Sequence, residues 1–432
     1  MWSILHDIFV TFGLGLHLLW RWLRGRWRGD KSIDEYAAYR AGLRIGDLHV
    51  NESGRPLLWF HGVSVGEVAA LDGVIAAVRE RTANGAAIAV STMTSEGLRA
   101  ARRLSNQPEL AFIYPLDLSW FAKRVVERLR PRLLVIFDGD FWFQMLDACG
   151  DAQVPVMLIN GRLGEGSARN YGRVSSYSRR LFSQIALASV QSEAMADRFA
   201  PLVPRSRIAV DGNLKLDSAP QAVSDARREE LRRPFGIDRA RFCFVFGSVH
   251  PEELDAIAGP IRRLLARHAD VQVVIAPRHP DKFTRAIVDK YFPGVAATWS
   301  GNASESAVEG APLVWVNRLG VLRELYQVAQ AAFVGGTFCD VGGHNLAEPA
   351  QWGVPALYGP QVHAQIPLHE MLQTYGAARQ VRTPEQLYQA MTALVEGRSG
   401  PEMAANLARL RAESAGLTAR VAARITRLAK LD

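Results

Sequence analysis

The strongest constraint on the fold of this chain is a repeated alternation of short apolar runs with longer helical patterns. Continuous apolar runs of this kind predict strands that are buried on both faces. Strands that alternate with helical stretches predict a parallel sheet with helices on both sides. The predicted strands are 57–60, 86–90, 133–137, 156–159, 185–188, 243–246, 271–275, 313–316, 331–334 and 355–358.

A polar segment interrupts the alternation once. Residues 218–240 contain Pro220, Pro234 and many arginines, and the alternation then restarts. The 432 residues are enough for two domains of ordinary size. We therefore expect an α/β fold with two Rossmann-like domains that face a cleft, in which ligands bind beyond the carboxyl ends of the strands. The predicted divisions are 1–30, 31–217, 218–240 as the interdomain connection, and 241–432 with the terminal helices.

The N-terminal segment has the composition of a membrane anchor. Residues 2–20 are largely apolar, and a basic cluster follows within 21–31 that carries about half of the net charge of +8. An apolar stretch with a basic collar predicts a retained anchor at a cytoplasmic membrane surface, either spanning or lying in the interface. The sequence also allows a helix packed on its own domain, or nucleic-acid binding. No nucleic-acid-binding module follows, so we expect no nucleic-acid partner.

Several other classes of protein are disfavoured. The three cysteines have no paired spacing, which argues against disulfides and a structural zinc site. No dinucleotide-binding Gly-x-Gly-x-x-Gly motif follows a predicted strand, which argues against a dehydrogenase.

In the first half, a candidate catalytic residue follows the first predicted strand. The segment 61–67 contains two glycines, Ser64 and Glu67, which falls near a helix N-terminus. A carboxylate at this position could act as a general base that accepts the proton of a substrate hydroxyl, and Glu67 is our candidate for such a base. The same spacing is also that of a helix-capping carboxylate.

Three further segments of the first half carry polar side chains at predicted strand ends. Thr94 lies in a hydroxyl-rich run that suits either a helix cap or an anionic acceptor. Asp138 and Asp140 could position a sugar hydroxyl or form a simple turn. Arg162 suits phosphate or carboxylate, although surface arginines are common.

Just before and after the polar connection, three groups fit a nucleotide phosphate. Lys215 precedes the polar connection, Ser248 precedes a predicted helix, and Arg278 follows the next strand. A helix N-terminus and two cations can together hold an anion. No Walker-type lysine loop is present.

A Gly-rich run, 335–349, follows the strand 331–334. Gly342 and Gly343 let backbone amides approach a ligand closely, and His344, Asn345 and Glu348 suit sugar hydroxyls and phosphate. The seven residues between Asp340 and Glu348 resemble the acid spacing of GT-B glycosyltransferases. A plain Gly-rich turn remains the alternative.

Taken in order, these motifs resemble the Kdo transferases, which move 3-deoxy-D-manno-octulosonic acid (Kdo) from CMP-Kdo to a lipid A precursor. The resemblance runs from about residue 40 to 380 and rests on the following motifs: HGVSVGE, STMTSEG, RPRLLVIFDGDFW, INGRLGEGSARNY, QSEAMADRF, GNLKLD, GSVH, APRHPDKF and GGHNLAEPA.

The resemblance implies a GT-B fold and an inverting transfer with no metal or other cofactor. It implies that Glu67 is the base and that Ser248, Arg278, Asn345 and Glu348 surround the CMP moiety. It places Lys215 and Asn213 near the cleft, and it implies a phosphorylated glycolipid acceptor at the cytoplasmic face of the bacterial inner membrane. The implied role is in lipopolysaccharide biosynthesis.

Three departures from the family pattern keep alternatives open. Asp138 and Asp140 stand where the family has glutamates, Asn317 and Arg318 stand in a segment that usually carries acids, and Leu346 replaces a proline. A different ulosonate or nucleotide-sugar donor, or a catalytically silent sugar-binding protein, would also fit these changes.

Overall fold

The computed structural model describes residues 2–11, 32–48, 54–217, 223–300 and 308–432. The chain divides into two compact units. Unit 1 contains Met1–Leu214 together with Gly416–Asp432, and unit 2 contains Lys215–Ala415.

Unit 1 is built on a parallel sheet whose strand order is β3-β2-β1-β4-β5-β6-β7. The strands are β1 Leu57–His61, β2 Ala87–Thr92, β3 Leu110–Ile113, β4 Leu133–Phe137, β5 Val156–Gly161, β6 Ile185–Val190 and β7 Ile208–Val210.

Unit 2 is built on a second parallel sheet with the order β10-β11-β9-β8-β12-β13-β14. The strands are β8 Phe242–Val249, β9 Val271–Pro277, β10 Ala297–Ser300, β11 Leu313–Val316, β12 Ala331–Val334, β13 Ala356–Tyr358 and β14 Ala378–Gln380.

Helices connect most successive strands. They are α1 Trp2–Phe9, α2 Ser32–Arg40, α3 Val65–Arg81, α4 Ser95–Ala101, α5 Ser119–Leu129, α6 Phe143–Asp151, α7 Glu165–Arg173, α8 Ser175–Ser183, α9 Glu193–Phe199, α10 Leu214–Asp217, α11 Asp225–Arg232, α12 Leu254–Arg267, α13 Arg285–Tyr291, α14 Leu322–Val328, α15 Ala347–Gln351, α16 Ile366–Tyr375, α17 Pro384–Val395, α18 Gly400–Ser414 and α19 Leu417–Leu428.

Each sheet has an apolar core on both faces, because side chains alternate along a strand. In β1, Leu57 and Trp59 belong to the core on one face, whereas Leu58 and Phe60 belong to the core on the other. The strand is therefore apolar at every position up to His61, as expected for parallel strands that helices cover on both sides. The α/β architecture predicted from the alternation is confirmed.

The C-terminal helix α19 belongs to unit 1, which differs from the predicted division at 241–432. Leu417, Val421 and Ile425 are buried in the same core as residues of α3. These residues recur at intervals of four, so they form one apolar stripe that needs a partner surface. The sequence shows that this stripe exists, but it contains no local signal for which unit covers it.

Most of the predicted connection, 218–240, belongs to unit 2 instead of linking the two units. Leu231, Phe235 and Ile237 are buried in the core of unit 2, so 223–240 are part of that unit. Among the polar residues that suggested a linker, Arg227 and Arg228 lie on the exposed face of α11. Residues 218–222 lie outside the described ranges.

Most of the predicted anchor, 12–30, also lies outside the described ranges. The first helix, α1, packs on unit 1 through polar contacts: Asp7 accepts hydrogen bonds from Ser119 N (2.9 Å) and Ser119 Oγ (2.6 Å), and His6 Nε2 lies 3.0 Å from Asp117 Oδ2. Its side chains Ile4, Leu5 and Ile8 are exposed. Within the described ranges, no helix has the length and apolar character that crossing a bilayer requires.

Strand order identifies one position in each sheet where a ligand can bind. Connections run in opposite directions from β1 and β4 in unit 1, and from β8 and β12 in unit 2. In open parallel sheets, ligands bind at such switch points, beyond the carboxyl ends of the strands.

Candidate active site

The candidate base lies at the switch point of unit 1. Glu67 is in the first turn of α3, which follows β1, and its side chain is buried. Oε2 accepts a hydrogen bond from Val63 N (2.8 Å), and Oε1 accepts one from Ser64 Oγ (2.9 Å). Burial raises the pKa of Glu67, and the negative charge of Asp138 raises it further. A carboxylate held in this way can cap the helix and can also accept a proton.

Asp138 is the centre of a buried polar network beside Glu67. It follows β4 with φ +71°, a left-handed conformation that is uncommon for a residue with a Cβ. Its carboxylate accepts hydrogen bonds from Asn160 Nδ2 (2.9 Å) and Gln191 Nε2 (3.2 Å), and Arg162 Nε lies 3.3 Å away. Asn160 also has a positive φ, of 53°. Such conformations persist only where surrounding contacts impose them, and they concentrate at functional sites.

Asp140 and Arg162 lie on the more accessible side of this network. Burial raises the pKa of Asp140, Asp138 raises it further, and the cation of Arg162 opposes both effects. The Arg162 side chain is 42% exposed while its partner Asp138 is 3% exposed. The Arg162 guanidinium therefore pairs with a buried carboxylate, and the Arg162 side chain as a whole is partly exposed.

The two predicted hydroxyl contacts both cap helices. Ser64 is exposed and accepts a hydrogen bond from Glu67 N at the start of α3 (3.3 Å). Thr94 accepts one from Gly97 N at the start of α4 (2.9 Å). Both predicted acceptor contacts remain predictions. The Ser64 hydroxyl donates its proton to Glu67 Oε1, whereas the hydroxyl of Thr94 caps its helix as an acceptor and can still donate its proton to a ligand.

His61, the first residue of the segment 61–67 that carries Glu67, is not accessible to a substrate. It is fully buried at the end of β1, and its Nδ1 lies 2.7 Å from Ser91 Oγ. Burial lowers the pKa of His61 to about 3. A neutral imidazole enclosed in the core has a packing role, which leaves Glu67 as the candidate.

In unit 2, Ser248 and Arg278 lie at the ends of β8 and β9. Ser248 has φ +58°, a second strained residue at a switch point. The Arg278 amide donates to Val249 O (3.0 Å), and its side chain is exposed. The positive charge of Arg278 lowers the pKa of Glu348, so the two side chains share one electrostatic environment.

Two histidines form a close pair beside them. His250 Nε2 and His344 Nε2 are 2.8 Å apart, so one ring donates a hydrogen bond and the other accepts it. Burial lowers the pKa of His250, and it lowers the pKa of His344 to about 4 with further contributions from His250 and Arg278. Within the described ranges, no three His, Cys, Asp or Glu side chains are arranged to hold a metal ion.

The Gly-rich run after β12 turns sharply. Gly342 and Gly343 have φ of +86° and +89°, which side chains rarely adopt. A Cβ at Gly342 would lie 2.4 Å from His363 Nε2, so a larger residue would displace that ring. Both glycines are therefore required by the local backbone and packing, and their predicted ligand contact remains a prediction.

Asn345 and Glu348 lie at the start of α15. Asn345 Oδ1 accepts a hydrogen bond from Ala347 N (3.1 Å). Burial raises the pKa of Glu348 to about 7, and hydrogen bonding to Asn345 and the charge of Arg278 oppose this shift. The structure thus brings together four predicted donor-binding side chains around the β8–β12 switch point: Ser248, Arg278, Asn345 and Glu348.

Lys215 lies in α10, at the beginning of unit 2, where its carbonyl accepts a hydrogen bond from Gln351 Nε2. Asn213 is buried at the end of unit 1, and its Nδ2 donates to Gln191 Oε1 (3.4 Å). The role of Lys215 in donor binding remains a prediction.

In the segment 317–322, which departs from the family pattern, the cation Arg318 has partners nearby in the fold. Arg318 NH2 lies 3.6 Å from Glu324 Oε2, and the guanidinium carbon lies 5.7 Å from the centre of the Phe235 ring. Its side chain is about half exposed. Arg318 therefore has a partner on α14 in its own unit.

Sequence reasoning missed two residues that organise these sites. Gln191 connects Asp138 to Asn160 and Asn213. Glu253 is fully buried and accepts four backbone hydrogen bonds. The consecutive acids Glu252 and Glu253 directly after a strand could have drawn attention to the second of these.

Known proteins resemble the chain in sequence over most of its length. Residues 39–218 match the family model described as 3-deoxy-D-manno-octulosonic-acid transferase (kdotransferase). The 3-deoxy-D-manno-octulosonic acid transferase of Chlamydia trachomatis serovar A is 32% identical over 345 residues, which cover 79% of this chain and 78% of the relative. The enzyme of the same name from Chlamydophila psittaci is 31% identical over 385 residues, covering 87% and 84%.

Solved structures support the fold. The crystal structure of UDP-GlcNAc 2-epimerase from Neisseria meningitidis bound to UDP-GlcNAc has a TM-score of 0.63 and 14% identity, covering 86% of this chain and 99% of that chain. At this identity the likeness concerns the fold alone. Together with the two parallel sheets, it confirms the predicted two-domain GT-B fold class.

Proposed function

The chain belongs to the 3-deoxy-D-manno-octulosonic acid transferase family and is a glycosyltransferase, and from this premise we propose that it transfers Kdo from CMP-Kdo to a phosphorylated lipid A precursor. The reaction class is Kdo transfer in lipopolysaccharide synthesis.

The environment of Glu67 supports this residue as the base of the proposed transfer step. In the proposed step, an acceptor hydroxyl attacks the anomeric carbon of Kdo, CMP leaves, and Glu67 takes the hydroxyl proton. A buried carboxylate with a raised pKa is a stronger base than an exposed one, and it sits at the β1–β4 switch point. Asp138 contributes by raising that pKa further.

The donor contacts in this proposal come from unit 2. Arg278 supplies an exposed cation for the phosphate of CMP, and Ser248 supplies a hydroxyl at the end of the neighbouring strand. Asn345 and Glu348 supply hydrogen-bonding groups for the nucleoside. Lys215, Gly342 and Gly343 complete the proposed donor set.

The acceptor contacts come from unit 1. Arg162 has a partly exposed guanidinium group, a type of cation that suits a phosphate of the glycolipid. Asp138 and Asp140 suit sugar hydroxyls, and the hydroxyls of Ser64 and Thr94 lie at the starts of the two helices nearby.

The experiment is a transfer assay with the purified full-length protein, CMP-Kdo and a tetraacylated lipid A precursor, analysed by mass spectrometry of the lipid. We expect the lipid mass to increase by one or more Kdo residues. Absence of added Kdo on any lipid A-type acceptor, with a folded protein, would contradict the proposal.

A different donor is the second candidate, and the departure at Asn317 and Arg318 favours it. The ion pair between Arg318 and Glu324 weakens this candidate, because the cation is already partnered within unit 2. Calorimetric titration with CMP, UDP and GDP separates the two. Preference for CMP supports the Kdo donor, whereas preference for UDP or GDP would replace it.

We further propose that the protein works at the cytoplasmic face of the bacterial inner membrane, attached through its N-terminal segment. The support is the orientation of α1, which places polar side chains against unit 1 and leaves Ile4, Leu5 and Ile8 exposed. A helix with an outward apolar face suits the headgroup boundary of a bilayer. The basic cluster of 21–31 would add attraction to anionic lipids.

Flotation with vesicles of phosphatidylethanolamine and phosphatidylglycerol tests this attachment. We expect the triple change Ile4→Ser, Leu5→Ser and Ile8→Ser to reduce the floated fraction. Val308→Ser in unit 2 is the control, because Val308 is as exposed, at 67%, as Ile4, at 65%. Equal flotation of the triple variant and the wild-type protein would count against a role for α1.

A further inference from the structure

We propose that Glu253 is a built-in anion that holds the Gly-rich loop after β12 in its donor-binding shape. Its carboxylate occupies the backbone amides that such a loop would otherwise offer to a phosphate. Glu253 is thus a positioning residue for the nucleotide. The identity of that nucleotide as CMP rests on the function proposed above.

The contacts of Glu253 define this role. Oε1 accepts hydrogen bonds from Thr337 N (3.0 Å) and Phe338 N (2.9 Å). Oε2 accepts hydrogen bonds from Gly336 N (2.8 Å) and His250 N (3.0 Å). The side chain is fully buried. Four charge-assisted hydrogen bonds satisfy a carboxylate that has no contact with water.

The loop around it has the backbone geometry of an anion site. Gly336 has φ +72°, and the consecutive amides of Gly336, Thr337 and Phe338 converge on one carboxylate. Successive backbone amides in such a turn form a concavity that binds anions. Here the anion is supplied by the chain itself, so the phosphate of a nucleotide has to be held by groups outside these amides.

The close approach of the two loops also depends on Gly335. A Cβ at this position would lie 2.5 Å from Ser248 O and 2.9 Å from Glu253 Oε2. The end of β8 and the turn after it therefore approach the segment after β12 closely, through the Ser248 backbone and the Glu253 carboxylate. These two strands are neighbours at the switch point of unit 2.

The hydrogen bonds of Glu253 thus fix the relative positions of two segments that carry candidate nucleotide-binding residues. Ser248 is the next-to-last residue of β8, and His250 directly follows that strand. His344 and Asn345 belong to the Gly-rich run. One hydrogen bond of Glu253, from His250 N, caps the turn that contains Glu253. The other three come from the amides of the loop after β12 and hold that loop in place. A residue that served only to start α12 would not need the last three.

The test measures CMP affinity by calorimetry in the full-length protein and in the variants Glu253→Ala and Glu253→Gln. We expect the dissociation constant to rise by roughly tenfold or more, since several buried hydrogen bonds to a charged group are lost. The Michaelis constant for the donor should rise with it, while the constant for the acceptor stays within about twofold. Glu252→Gln is the matched control, because Glu252 is the exposed neighbour in the same turn.

Chemical rescue distinguishes positioning from a general structural role. Glu253→Ala leaves a carboxylate-sized space bordered by four amides, so sodium formate should restore CMP affinity, whereas sodium chloride at equal ionic strength should not. Unchanged CMP affinity in the folded alanine variant, or failure of formate to restore a lost affinity, would overturn the proposal.

Hydrogen exchange of the wild-type protein covers the case in which the variants do not fold. We expect the amides of Gly336, Thr337 and Phe338 to exchange slowly, and exchange as fast as that of exposed loop amides would overturn the proposal. If the wild-type protein prefers UDP or GDP, the proposed function fails, and the Glu253 variants are then measured with that nucleotide.

Discussion

At the scale of single residues, burial and neighbouring charges shift the pKa values of the carboxylates in the candidate site. Burial raises the pKa of Glu67, of Asp140 and of Glu348, and Asp138 adds to the first two shifts. Carboxylates with shifted pKa values at the carboxyl ends of strands are typical of sites that move protons.

Glu67→Gln is expected to lower kcat by roughly 10²–10⁴, the usual contribution of a general base. The glutamine oxygen can still accept the hydrogen bond from Val63 N, so the start of α3 should be preserved. CMP affinity should be unchanged, because Glu67 lies in unit 1. The measurement is the initial rate of Kdo transfer.

Glu96→Gln is the control for this substitution. Glu96 also lies in the first turn of a helix after a strand, but it is exposed and pairs with Arg99. Its rate should equal that of the wild-type protein. Full activity in Glu67→Gln would exclude Glu67 as the base.

His344 and Glu348 are expected to give opposite pH dependences of stability. The folded pKa of Glu348, about 7, is above the ordinary 4.5, so its stabilising contribution is complete below pH 4.5 and is lost as the pH rises through 7. The folded pKa of His344, about 4, is below the ordinary 6.5, so its contribution is complete above pH 6.5 and is lost as the pH falls through 4.

Urea denaturation between pH 4.5 and 6.5 measures both effects. The unfolding free energy of the wild-type protein relative to Glu348→Gln should decrease with pH, and relative to His344→Gln it should increase. Each slope is at most about 1.4 kcal/mol per pH unit, the value for one proton. Slopes of the same sign would contradict the assignment.

At the scale of elements, the interior strands are those that the sequence predicts best. The strands that were not predicted are β3, β7, β10 and β14, and each lies at an edge of its sheet. An edge strand pairs on one side only and is partly exposed, so its apolar run is short or interrupted. In β14, for example, Ala378 is buried, Arg379 is exposed and Gln380 is intermediate. The pattern that identifies a buried strand is therefore weakest at the edges.

The stripe on α19 should make a large contribution to the stability of unit 1. Ile425→Ala is expected to cost about 2–5 kcal/mol, because it leaves a cavity in the core shared with α3. Arg427→Ala on the exposed face of the same helix should change stability by no more than about 0.5 kcal/mol. Thermal and urea denaturation of both variants provide the comparison, and equal effects would show that α19 does not pack as described.

At the scale of the whole molecule, the chain leaves unit 1, forms unit 2 and returns to unit 1 for its last helix. Unit 2 is therefore one continuous segment, whereas unit 1 is assembled from two. This difference determines which parts of the chain can fold alone.

A fragment of residues 215–415 is expected to unfold cooperatively and to bind CMP. A fragment of residues 1–214 should be markedly less stable, because the apolar surface of α3 that α19 covers would be exposed. Adding a peptide of residues 416–432 should raise its melting temperature. Circular dichroism and calorimetry measure these properties, and a fragment 1–214 that is unaffected by the peptide would contradict the division.

The sequence by itself determined the α/β class, the two units, the interior strands and the positions of the candidate residues at strand ends. These follow from local patterns, since an apolar run and the turn after it lie within a few residues of each other. Only the tertiary structure decided that α19 covers α3, that Glu253 fills the amides of the Gly-rich loop, that His250 meets His344, and that Arg318 pairs with Glu324. The first three join residues 80 or more positions apart in the chain, and Arg318 could have faced other partners than Glu324, so in each case the choice depends on packing that no local pattern encodes.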